Sequence, residues 1–181
     1  MKEELIISGF GGQGVLSIGK LLAYAGMMEG KQVSWLPSYG PEQRGGTSNV
    51  TVIVSDTTIA SPILSNYKTA ILLNQPSLEK FTPSIRPGGA LIYDTYSIAY
   101  PPERDDIDIY QINAMEAAAA MKNIKTFNMF ILGGLLGVHP VVHIENVVKA
   151  LYKTLPERHH HLIPQNEEAL RKGACLIKKI H

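Results

Sequence analysis

Residues 5–15, Leu-Ile-Ile-Ser-Gly-Phe-Gly-Gly-Gln-Gly-Val, decide the fold of this chain. The apolar run Leu5–Ser8 is typical of a buried strand in a parallel sheet. The glycines that follow match the pattern G-x-G-x-x-G over residues 9–14. From Val15 onward, apolar positions recur every three or four residues, which predicts an amphipathic helix that Gly30 ends. The order of strand, glycine turn and helix predicts an α/β domain.

The glycine loop at residues 9–14 is a candidate binding site. Glycines there permit a tight turn and let backbone N–H groups approach an anion, which also meets the positive end of the helix. The alternative is that the glycines only let the helix pack closely on the sheet. The candidate residues for contact with an anion or cofactor are Gly9, Gly11, Gly12, Gln13 and Gly14.

Two common nucleotide sites do not fit this loop. A dinucleotide site needs an acidic residue about 20 positions further on, at the end of the second strand. Trp35, Leu36 and Pro37 occupy those positions, and the nearest preceding acid, Glu29, falls at the end of the predicted helix. No Gly-Lys-Ser/Thr follows the glycines, so a P-loop is excluded as well. The sequence therefore disfavours ordinary NAD recognition and leaves the ligand open.

A second glycine cluster, Ser-Tyr-Gly-Pro-Glu-Gln-Arg-Gly-Gly-Thr-Ser at residues 38–48, connects two predicted strands, Val33–Leu36 and Thr47–Val54. Only residues 37–46 separate these strands, which is short for the crossover that a parallel pair needs. We therefore expect the two strands to be antiparallel or not adjacent, and the sheet to be mixed.

This second cluster also carries candidate binding residues. Arg44 offers a bidentate fork for a carboxylate or phosphate, and the adjacent glycines can expose backbone donors. A solvated loop whose arginine binds its own carbonyls is the alternative. Both clusters follow the carboxyl ends of predicted strands, where open α/β sheets place ligands. The candidates here are Gln43, Arg44, Gly45, Gly46 and Ser48.

The rest of the chain predicts one domain, residues 1–181, because strands alternate with helices and no linker interrupts them. Two buried strands are predicted at Thr69–Asn74 and Ala90–Asp94, with a helix from about Pro76, a turn at Pro87–Gly89, and a half-exposed or edge strand at Asp106–Ile112. Helical stretches follow at Ala114–Met121, Phe127–Val138 and Ile144–Leu155, and a last helix has Leu170, Ala174, Ile177 and Ile180 on one face. We expect a three-layer αβα domain with a mixed, mostly parallel, Rossmann-like sheet.

Composition limits the possible functions. The 181 residues include one cysteine, and 17 basic against 16 acidic side chains give a formal charge of +1. One cysteine cannot close an intramolecular disulfide or ligate an iron–sulfur cluster or a cysteine-rich zinc site. A near-neutral chain has no bulk attraction for nucleic acid or anionic lipid. We expect no partner of either kind, and Cys175 is predicted to be a small buried apolar residue.

Targeting and metal signals are weak. No segment approaches the roughly 18 consecutive apolar residues of a membrane span, and the charged N-terminus lacks the layout of a secretory signal, so we expect a cytoplasmic protein. The histidines at 159–161 have no partner spaced to complete a metal site, which favours a polar loop and no bound metal. Asp94, at the end of a predicted strand, is expected to cap a turn or a helix start.

Residues 9–15 and, about 25 residues later, residues 39–48 together resemble the gamma subunit of 2-oxoacid:ferredoxin oxidoreductases, which act on acids such as pyruvate, 2-oxoglutarate or 2-ketoisovalerate. The two motifs, their spacing and the following strand, Asn49–Asp56, carry the resemblance. It implies a subunit of an enzyme that oxidatively decarboxylates a 2-oxoacid on thiamine diphosphate, forms an acyl-coenzyme A and passes electrons to ferredoxin.

The resemblance also implies a division of labour among subunits. In the family, thiamine diphosphate, its Mg²⁺ and the iron–sulfur clusters are held chiefly by alpha, beta and delta subunits or their fused equivalents, which would be the partners of this chain. Ferredoxin would be an indirect partner, and coenzyme A a co-substrate. The isolated chain would hold no cofactor by itself, would not be catalytic, and could form a homodimer through surfaces that normally meet partners.

Three roles therefore remain open for the glycine loops. They could help to close the site where coenzyme A or the 2-oxoacid carboxylate approaches, with Arg44 as the anion contact. They could instead be an assembly surface without any ligand. A free-standing module that binds a nucleotide or coenzyme A is the alternative from another functional class.

Overall fold

The computed structural model describes residues 1–39 and 46–181, and the described residues form one mixed sheet of seven strands in the order β2-β3-β1-β4-β5-β6-β7. The strands are β1 (Lys2–Phe10), β2 (Gln32–Tyr39), β3 (Thr47–Ser55), β4 (Tyr67–Leu72), β5 (Ile85–Asp94), β6 (Asp108–Ile112) and β7 (Lys178–Lys179). The helices are α1 (Val15–Met28), α2 (Gln75–Phe81), α3 (Ala114–Ala120), α4 (Phe127–Val138), α5 (Ile144–Thr154) and α6 (Ile163–Leu176). Short 3₁₀ helices lie at Thr82–Ser84, Ile124–Thr126 and Glu157–Leu162.

Strand β1 lies at the centre of the sheet. It pairs antiparallel with β3 on one side and parallel with β4 on the other. Strands β2 and β3 are antiparallel neighbours, as the short connection between them predicts. Beyond β4 the pairing continues parallel through β5 and β6, and β7 closes the far edge in the antiparallel sense. Within the described residues, β3 and β7 alone run against the other strands, which confirms the mixed, mostly parallel sheet.

The two faces of the sheet carry unequal layers. The larger core packs α1, α3, α4, α5 and α6 against one face. On the other face a smaller core is covered by α2 and by apolar residues of the long connections, such as Ile98 and Ile107. This arrangement confirms the expected three-layer αβα fold. The apolar stretch Phe127–Val138 forms α4, which is buried within this core.

Helices α4 and α6 approach each other at their backbones because glycines line the contact. A Cβ atom added at Gly137 would lie 2.5 Å from the carbonyl oxygen of Ala174, and one added at Gly173 would lie 2.8 Å from the Cα of Phe130. Real Cβ atoms do not come this close to backbone, so the two helices could not pack at this distance with larger residues. The sequence pattern predicted a helix at Phe127–Val138 but not this glycine contact.

Three expectations are corrected by the structure. The segment Pro87–Gly89 is not a turn between elements, because β5 continues through it as a bulge opposite Tyr67 and Thr69 of β4. The last helix ends at Leu176 rather than running through Ile180, because Lys178 and Lys179 pair with β6 and occupy its open edge. Cys175 is exposed on α6 and not buried.

None of the helices in the described part of the chain is long and apolar enough to span a membrane.

Candidate functional site

The two glycine clusters meet at one edge of the sheet. Strands β1, β4 and β5 end there, and β3 begins there because it runs antiparallel to β1. The register places Gly9 opposite Ser48, and the N–H of Gly11 donates to the carbonyl oxygen of Gly46 at 3.2 Å. We call this region, residues 9–14 with 46–48, the glycine edge. The structure thus brings together seven of the ten sequence-predicted residues; Gln43, Arg44 and Gly45 lie outside the described residues.

Two glycines of the loop are required by the chain's own conformation. Gly12 and Gly14 have φ angles of +96° and +78°, in the left-handed region that other residues rarely adopt. Gly14 also lies directly against α4, because a Cβ atom there would be 2.7 Å from the Cβ of Asn128. Gly14 is therefore needed for its left-handed φ and for close packing against α4, and not for the packing of α1 on the sheet that the sequence alternative proposed.

Gly11 differs from its neighbours. It is exposed, its φ is not in the left-handed region, and a Cβ atom there would meet nothing within 4 Å. Neither a turn nor a packing contact among the described residues demands a glycine at this position. Glycine at this position leaves the backbone open to a close approach.

Gln13 organises the loop from inside. Its Oε1 accepts the N–H of Phe10 at 2.6 Å, and its Nε2 donates to the carbonyl oxygen of Leu73 at 2.9 Å. Both ends of the amide are thereby occupied, and the glycine loop is tied to the end of β4. The expectation that Gln13 binds a cofactor stays a prediction; the geometry shows a positioning contact.

A buried cluster of Ser8, Asn74 and Ser77 lies next to the glycine edge and contacts it through Ser48. Ser8 Oγ lies 2.8 Å from Ser77 Oγ, and it donates to the carbonyl oxygen of Ser48 at 3.4 Å. Asn74 caps α2 by accepting the N–H of Ser77 at 2.8 Å, whereas its Nδ2 is buried without a partner among the described residues. Sequence analysis missed Asn74 and Ser77, although an asparagine directly before Gln75-Pro76 is a helix-start signal.

Asp94 takes the capping role predicted for it. One carboxylate oxygen accepts the N–H groups of Ala114 and Met115 at 2.8 and 3.2 Å, and the other accepts the N–H of Tyr96 at 3.1 Å. The side chain is fully buried, and burial raises the pKa of Asp94 even though these N–H groups oppose the rise. Its oxygens hold the start of α3 to the end of β5 and do not point to a ligand role.

Exposed aromatic side chains accompany the glycine edge. Phe10, at the end of β1, is 42% exposed, and Tyr96 and Tyr100, after β5, are 78% and 76% exposed. The side-chain oxygen of Gln75 accepts the backbone N–H of Tyr100 at 3.2 Å, which ties this loop to the start of α2. Exposed tyrosine and phenylalanine are enriched at protein interfaces, so the composition of this edge is typical of a docking surface.

The three consecutive histidines lie far from the glycine edge in sequence and form part of the 3₁₀ helix Glu157–Leu162 rather than a loop. A ring nitrogen of His160 lies 2.9 Å from the carbonyl oxygen of Leu155. Residues 1–39 and 46–181 contain no group of three or more His, Cys, Asp or Glu side chains arranged to hold a metal ion.

A strand, a glycine loop and a helix on a mixed sheet, with a second glycine segment across the same edge, define the class as a Rossmann-like α/β domain. Comparison with known proteins then gives the family. A sequence profile of pyruvate ferredoxin/flavodoxin oxidoreductase matches residues 4–176, so the chain belongs to that family.

Individual relatives differ in length. The ketoisovalerate oxidoreductase subunit VorA of Methanothermobacter marburgensis is 39% identical over 132 residues, which are 73% of this chain and 27% of that protein. The chain thus spans about a quarter of the length of this curated relative. The keto/oxoacid ferredoxin oxidoreductase gamma subunit of Geobacter sulfurreducens PCA superposes with a TM-score of 0.83 at 26% identity, covering 98% of this chain and 99% of that one.

A second solved structure shares the fold within a longer chain. The 2-oxoglutarate:ferredoxin oxidoreductase of Magnetococcus marinus, with 2-oxoglutarate, coenzyme A and succinyl-CoA bound, superposes with a TM-score of 0.87 at 23% identity. The match covers 96% of this chain but 30% of that one. The same fold therefore occurs both as a separate subunit and as part of a larger polypeptide.

Proposed function

We propose that this chain is the gamma-type subunit of a thiamine-diphosphate-dependent 2-oxoacid:ferredoxin oxidoreductase, which converts a 2-oxoacid and coenzyme A into an acyl-CoA and passes the electrons to ferredoxin. The observation that carries the proposal is the family match over residues 4–176. The match to the gamma subunit of Geobacter sulfurreducens PCA covers 98% of this chain and 99% of that one, which supports the proposal of a gamma-type subunit.

The proposal places the redox chemistry on partner chains. Cys175 is the only cysteine of this sequence, so the chain does not supply the thiolates of an iron–sulfur cluster. Thiamine diphosphate, Mg²⁺ and the clusters belong, in this proposal, to alpha, beta and delta subunits or their fused equivalents. The long chain of VorA, of which this domain matches about a quarter, supports such a close association.

The glycine edge is the surface proposed to face the catalytic subunits and the approach of coenzyme A. The bare backbone at Gly11 favours a close contact with something outside the chain, and Phe10, Tyr96 and Tyr100 supply the aromatic area that interfaces use. Arg44 is the proposed anion contact, for a phosphate of coenzyme A or the 2-oxoacid carboxylate. The structure of the Magnetococcus marinus enzyme contains bound coenzyme A, which supports the choice of coenzyme A as the ligand.

The experiment is co-expression of the chain with the products of neighbouring genes, followed by purification and assay with a panel of 2-oxoacids, coenzyme A and a low-potential acceptor. A brown, iron-containing complex with this activity is expected. A colourless single chain that carries a bound nucleotide and has no partner would overturn the proposal in favour of a free-standing binding module.

Within the same complex, Arg44→Ala tests the ligand role proposed for Arg44, which precedes the 46–48 segment of the glycine edge by two residues in sequence. Losing one charge-assisted contact costs about 1.5–3 kcal/mol, so the KM for coenzyme A or 2-oxoacid should rise by roughly 10-fold or more, with subunit composition unchanged. Arg171→Ala is the matched control, because Arg171 is an exposed arginine on α6 whose ion pairs with Glu145 and Glu167 lie at the surface. Failed assembly with normal kinetics in the residual complex would contradict the ligand role and leave an assembly surface.

A further inference from the structure

A second concave site lies on the helical side of the domain, between α1, α4, α5, α6 and the 3₁₀ helix Glu157–Leu162. This cleft has a volume of roughly 610 Å³, within the range that binds small organic ligands. Its walls include apolar side chains such as Leu21 and Met129 together with the polar side chains of Lys20, Lys125, Asn128 and His159. We call it the helix-side cleft.

The lysines that line the helix-side cleft give its described lining a positive charge. Lys20 comes from α1 and Lys125 from the 3₁₀ helix before α4, so two separate elements contribute lysines to the lining of the same cleft. The ammonium group of Lys20 lies 5.9 Å from the centroid of the Tyr24 ring, also on α1. Neither lysine forms an ion pair within the described residues, and the described lining contains no aspartate or glutamate. Two like charges over an apolar floor do not stabilise the fold, whereas they would attract an anion.

Asn128 connects this cleft with the glycine loop. Its side chain lies directly against Gly14, and its amide makes no hydrogen bond with another described residue. The cleft therefore begins where the glycine loop ends and follows α1 through Lys20 toward His159. Asparagine amides offer donors that suit phosphate oxygens, in addition to the two ammonium groups.

We propose that the helix-side cleft binds an organic phosphate of nucleotide size. Its phosphates lie between Lys20 and Lys125 and hydrogen-bond to Asn128, and its carbon framework packs on Leu21 and Met129. Paired cations from two elements suit the double charge of a phosphate ester better than a single carboxylate. The cleft adjoins the glycine edge at Asn128 but is lined by other residues, so this proposal can fail while the earlier one holds. Coenzyme A and free adenine nucleotides share the required chemistry.

Isothermal titration calorimetry of the full-length chain tests this proposal, with ATP, coenzyme A and inorganic pyrophosphate as the three probes. Saturable binding of at least one of the two esters is expected, with weaker binding of pyrophosphate because it lacks the carbon framework. The ester that binds more tightly identifies the source of the ligand.

The double variant Lys20→Ala/Lys125→Ala should lower the affinity for that ester at least 10-fold, whereas Lys149→Ala, an exposed lysine on α5 outside the cleft, should leave it unchanged. Both replaced lysines are exposed, so the fold should persist, which circular dichroism verifies. Failure of every probe to bind, or equal affinity in the double variant, would overturn the proposal. Arg44→Ala should not alter this binding, which separates the cleft from the glycine edge.

Discussion

The carboxylate of Glu29, one residue beyond α1, accepts the backbone N–H of His143, which immediately precedes α5, at 2.6 Å. The same oxygen accepts a hydrogen bond from the side-chain Nδ2 of Asn146 at 3.0 Å, and the other carboxylate oxygen lies 2.9 Å from Lys31 Nζ. A single acidic side chain therefore caps a helix that lies 114 residues later in the chain. Because the start of a helix carries partial positive charge and unpaired N–H groups, this contact stabilises the packing of α5 beside α1.

Replacing this carboxylate should destabilise the fold in a pH-dependent manner. Burial raises the pKa of Glu29, but hydrogen bonds from Asn146, Lys31 and the His143 N–H outweigh it, so the pKa is lowered overall. A lowered native pKa stabilises above the unfolded value near 4.5, and this stabilisation is lost as pH falls through the native pKa. Glu29→Gln should cost about 1–2 kcal/mol of unfolding free energy at pH 7 and less near pH 3, measured by urea denaturation.

The control for this substitution is Glu168→Gln, which removes an exposed i,i+4 pair with Lys172 on α6. Exposed pairs of this kind contribute about 0.5 kcal/mol or less. Equal effects of the two substitutions at pH 7 would mean that Glu29 does not act as a cap.

The glycine contact between α4 and α6 gives a larger effect. In Gly173→Ala the new methyl group would meet the backbone of Phe130, which cannot move aside as a flexible side chain could. The helices must separate, so we expect a loss of about 2–3 kcal/mol in unfolding free energy and a clear fall in Tm. Gly11→Ala is the control, because a methyl group there meets nothing within 4 Å. A Gly173→Ala variant as stable as the wild type would show that the helices do not pack this closely.

Within the glycine loop, Gly14 and Gly11 separate folding from function. Gly14→Ala places alanine at a φ of +78° and against Asn128, so we expect a loss of about 2 kcal/mol or more in thermal or chemical unfolding. Gly11→Ala should change stability by less than about 0.5 kcal/mol, yet lower the yield of the assembled oxidoreductase or raise its KM for coenzyme A. Normal assembly together with normal kinetics in Gly11→Ala would contradict the proposed role of the glycine edge.

The sequence predicted much of this fold because its signals are local. The glycine loop between β1 and α1, the stop at Gly30 and the antiparallel pair of β2 and β3 all follow from short-range patterns. The end of α6 could not be predicted in this way, since Lys178 and Lys179 leave the helical pattern only to pair with β6, which is distant in sequence.

The candidate site could be predicted in outline only. Its two glycine clusters were identified from composition, and the sheet register places them together. The helix-side cleft was not predicted, because Lys20, Lys125 and His159 come from separate elements and share no sequence pattern. The cap that Glu29 forms on α5 was not predicted either, because a contact between residues 114 positions apart depends on tertiary packing.

The contribution of Asp94 to the free energy of unfolding should change with pH in the opposite direction to that of Glu29. Burial raises the pKa of Asp94, and backbone N–H groups only partly oppose this. A raised native pKa contributes stability that is complete below the unfolded value near 3.8 and is lost as pH rises through the native pKa. Asp94→Asn keeps an acceptor for the N–H of Ala114 but cannot ionise. The wild type should therefore exceed this variant in unfolding free energy most below pH 3.8, and the difference should narrow toward pH 7.

Urea denaturation of both proteins across this pH range measures the difference, and Asp106→Asn is the control of opposite sign. A hydrogen bond from Arg104 lowers the pKa of Asp106, an exposed carboxyl, so the wild type should gain relative to that variant as pH rises. Asp94→Ala removes the acceptor for three backbone N–H groups and should cost about 3 kcal/mol at the lowest pH tested. This cost should narrow toward pH 7, as for Asp94→Asn, because alanine cannot ionise either. A difference between wild type and Asp94→Asn that widens toward pH 7 would contradict this prediction. It would show that the native pKa of Asp94 is lowered, because hydrogen bonds from the N–H groups at the start of α3 outweigh burial.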